Sequence, residues 1–150
     1  MPIPSPIKIK RNGVEYISQV DRAKYLMVEL ERAALRDIGK LVRRRALDGI
    51  RKLQGLKKGR RPPNAFQFWV RKRETDLIVG IKHDTWYGVE QELGTMNQPR
   101  RAILTNSTMG EIQEIQNIIK HYLGEIEYEN RVLGLINENE EGDMEDDSGA

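Results

Sequence analysis

General bases, metal sites and covalent nucleophiles are built from histidine, cysteine and closely spaced carboxylates, and this sequence is sparing with all three. It has no cysteine, which excludes a disulfide framework, thiolate metal ligands and a thiol nucleophile and suits a reducing compartment. Its two histidines, His83 and His121, stand far apart, and neither has a ligand-type partner at helical spacing; both read as surface or edge residues. The nearest approach to a paired-acid site is Glu90 and Glu92 with Glu111 and Glu114. Acids two apart on a helix diverge, and acids in a first helical turn complement the helix dipole. Gly55 and Gly59 lack the lysine and hydroxyl that complete a phosphate-cradling loop. The expectation is a protein without catalysis, cofactor or metal.

Charge is the stronger signal. The net charge is only +2, but residues 40–73 carry 13 Lys or Arg against the single acid Asp48, a net of +12. Residues 138–150 carry seven acids and no base, a net of −7. Such segregation points to polyanions or to acidic protein surfaces as partners. Candidate phosphate or interface cations are Lys57, Lys58, Arg60, Arg61, Arg71, Lys72 and Arg73, with Arg100 and Arg101 further on. No recognition helix or RNA-reading signature accompanies them, so pairing with a protein surface and non-specific backbone contact both stand as readings.

The elements that would position these residues are legible as one α+β domain over residues 1–137, a small antiparallel sheet packed on two long helices. A strand-type alternation on either side of Asn12-Gly13 predicts an N-terminal hairpin over 6–17. Val20, Ala23, Met27, Leu30, Ala34, Ile38 and Leu41, widened by Leu26, Ala33 and Val42, predict a long helix over 19–53 with Ser18 as its cap. Arg43, Arg44 and Arg45 interrupt the stripe, so its last turns are expected to leave the core. The stretch 55–64 holds two glycines and two prolines and reads as a loop. A β-hairpin over 65–82 follows, with Phe66, Phe68 and Val70 on one face and Gln67, Trp69 and Arg71 on the other.

Asp84 or Thr85 caps a short helix over 86–93 that stops at Gly94, residues 95–107 read as irregular, and Met109, Ile112, Ile115, Ile119, Tyr122 and Ile126 predict a C-terminal helix over 108–136. Residues 138–150 read as a flexible acidic tail. The N-terminus lacks the features of a secretion signal, and no apolar run approaches a membrane span, so a soluble protein is expected. Hydrophobic residues are only 38% of the chain, a thin supply of the kind that hides apolar surface against partners.

Trp86-Tyr87-Gly88-Val89-Glu90-Gln91-Glu92-Leu93-Gly94-Thr95, followed by Gln98-Pro99-Arg100-Arg101-Ala102-Ile103-Leu104, resembles the neck and tail-completion (head–tail joining) proteins of long-tailed double-stranded DNA bacteriophages. In that family a strand and long helix precede a basic loop and β-hairpin; a short helix ending in Gly-Thr and a Pro/Arg-rich segment then lead into the last helix. The order matches over roughly residues 19–123. Two departures stand out: Lys58-Gly59-Arg60-Arg61 replaces a Thr-Gly-containing loop, and Arg101-Ala102-Ile103 replaces a Pro-Phe pair.

The resemblance implies a homo-oligomeric ring of six or twelve copies in the virion neck or tail region, assembled in the host cytoplasm. Its partners would be head-closure or portal-side proteins and tail-tube or terminator proteins, with genome DNA passing through the lumen and no membrane involved. Trp69, Trp86, Tyr87, Gly94 and Thr95 are the candidate subunit-interface residues, and the basic residues above would line the channel or an interface. A small basic protein that binds nucleic acid non-specifically is the alternative.

Overall fold

The structure, a computed structural model, describes residues 2–52, 66–82, 86–97 and 99–137, with the backbone alone at Trp86, Tyr87, Gly88 and Gln91. The loop 55–64, His83, the cap candidates Asp84 and Thr85, Gln98 and the tail 138–150 lie outside the described residues. The class is α+β, with two separate two-stranded antiparallel sheets rather than one. In order the elements are β1 (Ile7–Arg11), β2 (Val14–Ser18), α1 (Val20–Arg51), β3 (Phe66–Arg71), β4 (Asp76–Ile81), α2 (Trp86–Leu93), α3 (Ile103–Met109) and α4 (Ile112–Gly124), then α5 over residues 129–137. They fall into two compact units, Met1–Ala34 with His121–Ala150, and Leu35–Lys120.

In the first unit, β1 and β2 pair with Arg11 opposite Val14 and Ile7 opposite Ser18. Asn12 and Gly13 take φ of 50° and 79°, the two positive values a type I′ turn needs. All five β1 residues and four of the five in β2 are exposed, so the hairpin is covered on neither face. The Gln19 carbonyl accepts the Ala23 amide at 2.9 Å, starting α1 one residue later than a Ser18 cap would. Along α1 the buried positions are Leu26, Leu30, Ala33 and Ala34, while Val20 and Met27 are exposed. Tyr122, Val132 and Ile136 complete the buried set of this unit.

In the second unit α1 continues to bury Ile38, Leu41, Val42, Ala46 and Ile50. Ala46 and Ile50 join Phe66 of β3 and Ile103 of α3 in one cluster, flanked by Leu47, Ile81 and Leu104. The last turns of α1 therefore stay in the core, contrary to the sequence expectation. Val42, Ala46 and Ile50 keep the i+4 line while the three arginines fall on the other faces. Gly39 lets the hairpin approach, since a Cβ there would stand 2.7 Å from Phe68 Cγ. Arg43 Nε donates to the Phe66 carbonyl at 3.1 Å, fixing the start of β3.

The expected helix over 108–136 is instead three helices, and part of the region read as irregular is helical from Ile103. The Ser107 and Thr108 hydroxyls donate back to the Ile103 and Leu104 carbonyls at 2.6 and 3.0 Å, a contact that bends helices. At the turn the Glu111 amide reaches only three residues back, to Thr108. After Gly124 the amides of Glu125 and Ile126 again bond three residues back, to Tyr122 and Leu123, closing α4 before α5.

Candidate assembly surfaces

α2, spanning Trp86–Leu93 as expected, ends with the Gly94 amide bonded to the Glu90 carbonyl at 2.8 Å. Gly94 has φ 79°, the left-handed cap conformation that glycine adopts at least cost. A Cβ there would also meet the Arg100 amide nitrogen at 2.8 Å, so Arg100 packs tightly against Gly94.

α3 then begins without a cap of its own. Ala102 stands at its N-cap with φ 48° and has no side chain to receive the first amides. Glu92 supplies the acceptor from α2: its carboxylate receives the Leu104 amide at 2.8 Å and the Thr105 amide at 3.0 Å. It also takes the Thr105 hydroxyl at 2.7 Å. Burial alone would raise this carboxyl, but those hydrogen bonds and the nearby Arg100 charge together outweigh it and hold Glu92 below the usual carboxylate range. Sequence reasoning, which weighs Glu92 only as one of a set of candidate acids, misses this bridge. The signal was present in Arg101-Ala102-Ile103, because a helix that starts without Ser, Thr, Asp or Asn must find its cap elsewhere.

The candidate interface residues distribute as follows. Trp69 is 45% exposed on the β3 face opposite buried Phe66, with Ile78 as its cross-strand partner. Thr95 is exposed beside the Gly94 turn, and Met96 next to it is fully open. Trp86 and Tyr87 are helical in backbone, but their side chains lie outside the described residues. Further apolar surface is open on the β1–β2 hairpin and along Met109, Ile112, Ile119 and Leu123.

Of the candidate cations, Lys57, Lys58, Arg60 and Arg61 lie outside the described residues. Arg71 is spent locally: it pairs with its cross-strand partner Asp76, Nε to Oδ1 at 2.6 Å, and with Glu74. The hydrogen bond to Asp76 raises the guanidinium and, reciprocally, lowers the Asp76 carboxyl. Lys72, Arg73 and Arg100 are exposed, and the Arg101 carbonyl accepts from Asn106 Nδ2 at 3.2 Å. Within the basic stretch Arg45 also bonds Glu111 at 2.8 Å and Arg51 bonds Asp48 at 3.4 Å. Three of the thirteen cations of this stretch, Arg45, Arg51 and Arg71, therefore meet acids of their own chain.

His121 is exposed and sets its ring edge-on to Tyr122 at 5.6 Å. No metal-type cluster of His, Asp and Glu occurs among the described residues, and no helix among them is long and apolar enough to cross a membrane. No family model, curated protein or solved structure matches this chain.

Proposed function

We propose that this chain is a structural component of a bacteriophage head–tail connector, a neck or tail-completion ring protein without catalytic activity. It joins the DNA-filled capsid to the tail as a ring of six or twelve copies. It contacts head-closure or portal-side proteins above and tail-tube or terminator proteins below, and lets the genome pass through its lumen. The observation that carries the reading is the amount of large apolar side chain left open on built elements. Both faces of the N-terminal hairpin, Trp69 on β3 and one line of α3–α4 are exposed, as a subunit completed by neighbours requires. The motif from Trp86 to Leu104 supports the same reading, because Gly94 packs on Arg100 at the end of α2 and Glu92 of α2 caps α3, tying the two helices together.

The test is an assembly assay in which purified protein is added to tailless, DNA-filled heads and to free tails, and joined particles are scored by electron microscopy. Joining that depends on the protein, with a ring at the junction, is the expected result. A protein that ignores both structures but retards bare duplex DNA in a salt-sensitive way overturns the proposal in favour of non-specific nucleic-acid binding.

A further inference from the structure

Two features of the first unit complement one another. The β1–β2 hairpin carries Ile7, Ile9, Val14 and Tyr16 on one face, each at least half exposed. A two-stranded hairpin is marginal in water without a surface to cover it. In the same unit the first turns of α1 and residues 126–132 enclose a groove of about 210 Å³. Its apolar lining includes Leu26, Met27, Leu30, Ile126 and Val132. An apolar cavity of about 150 Å³ is enough to take up benzene, so this one admits a tyrosine ring or a pair of aliphatic side chains. The chain's own hairpin does not fill it, as the exposure of those four residues shows.

The charges match as well. The register places Arg11 on the face of Ile7, Ile9, Val14 and Tyr16, and Lys8, Lys10 and Glu15 on the other. Arg11 has no ion-pair partner among the described residues. At the groove Arg22 is held by Glu129, with Nε to Oε1 at 2.7 Å. Glu127 stands exposed without a partner among the described residues, leaving the rim negative.

We propose that the hairpin of one subunit docks its Ile7, Ile9, Val14 and Tyr16 face in the α1/126–132 groove of a second copy, with Arg11, on that same face, meeting Glu127. Hairpin and groove are different surfaces, so unless two copies exchange hairpins reciprocally the contact is head-to-tail, and repeating it generates a ring or a filament. The inference rests on the connector reading, for which it supplies the subunit joint.

Because the chain has no cysteine, Tyr16→Cys and Met27→Cys place one thiol on each side of the joint. Oxidative capture traps even a weak contact. Under mild oxidation the double variant is expected to give a ladder of multiples, and an equal mixture of the two single variants a dimer only. Each single variant alone should give at least tenfold less. Adding Ile9→Asp to the double variant should reduce the ladder about tenfold while leaving helicity by circular dichroism unchanged. A disulfide within one monomer, or Tyr16→Cys linking to itself as fast as the mixture does, overturns the proposal. A double variant that stops at a disulfide dimer reports the reciprocal pair and overturns the ring joint. The same variants are oxidised in joined head–tail particles. Protein-dependent joining with no hairpin–groove link, in particles or in solution, sinks the docking alone. A ladder with joining that does not need the protein sinks the connector reading alone.

Discussion

Gly39→Ala sets two effects of known size against each other. In an isolated helix the change stabilises by about 1 kcal/mol, since glycine costs that much relative to alanine in a helix interior. Here the new methyl would lie 2.7 Å from Phe68 Cγ and 2.9 Å from Cε2, with Cδ2 nearer still. Carbon atoms pack at about 3.5–4.0 Å, so ring and helix must separate by roughly 1 Å. The clashing atoms include the root of the ring rather than the tip of a flexible chain, so β3 itself has to move. Overpacking of this kind costs about 1–3 kcal/mol, and the net expectation is a loss of about 1 kcal/mol. For a chain of this size that is about 2–4 °C in Tm. Urea unfolding followed by tryptophan fluorescence reads the right unit, since both tryptophans, Trp69 and Trp86, belong to Leu35–Lys120. Phe68→Leu in the Gly39→Ala background should recover part of the loss, with a coupling of at least about 0.5 kcal/mol. A Gly39→Ala protein more stable than its parent, or two changes that simply add, would refute the packing of β3 on α1.

Ile50→Ala should cost about 3 kcal/mol by the same fluorescence readout, because Ile50 is 7% exposed against Phe66 and Ile103; a loss under 1 kcal/mol would return the end of α1 to the surface. Glu92→Gln should cost about 1 kcal/mol at pH 7, allowing for solvent screening of a partly exposed carboxylate. Because folding lowers the Glu92 pKa, its contribution is full above the ordinary value of 4.5 and drains as pH falls through the lower folded value. The variant should therefore show a shallower acid loss than the parent, and superimposable pH profiles would exclude the bridge. Asp76→Asn should leave the unfolding midpoint unchanged, as expected of an exposed, screened pair. Binding to heads or tails should persist from 50 to 200 mM salt, whereas a protein held by six or more phosphates loses about 10³-fold or more; a loss of that size would favour the nucleic-acid reading.

The sequence announced those features that local chemistry dictates. Asn12-Gly13 fixes the first turn, Gly94 ends α2, and the alternation of Phe66 and Phe68 with Trp69 separates the faces of β3. Periodicity failed where the apolar phase ran on through a break. Met109, Ile112, Ile115 and Ile119 keep helical spacing across the turn at Gly110–Glu111, and the helix breaks where Ser107 and Thr108 back-bond and the Glu111 amide reaches only three residues back. Arg43, Arg44 and Arg45 hid the continuation of the stripe because three adjacent charges outweigh one alanine on any hydrophobicity reading, although Ala46 is fully buried. The exposure of Trp69 on the face away from Phe66 was legible. The groove was not, because it joins residues 19–30 to 126–132 through tertiary folding alone.

The energetics of the hairpin bear on how such a subunit assembles. Fully burying a large apolar side chain is worth about 1.5–3 kcal/mol. Ile7, Ile9, Val14 and Tyr16 retain between 50% and 69% of their exposure, so covering all four yields about 3.5–7 kcal/mol gross. Bringing two free subunits together costs about 4–15 kcal/mol in lost motion and ordering. One joint of this kind therefore does not hold a pair of subunits in dilute solution. A closed ring changes the balance, since each subunit then makes two joints and the last one forms without a further loss of free translation. A surface that already collects subunits, such as the end of a capsid or tail, removes most of the remaining cost. On the connector reading, weak hairpin joints restrict ring closure to the junction, where the ring is needed, and leave the free subunit monomeric beforehand.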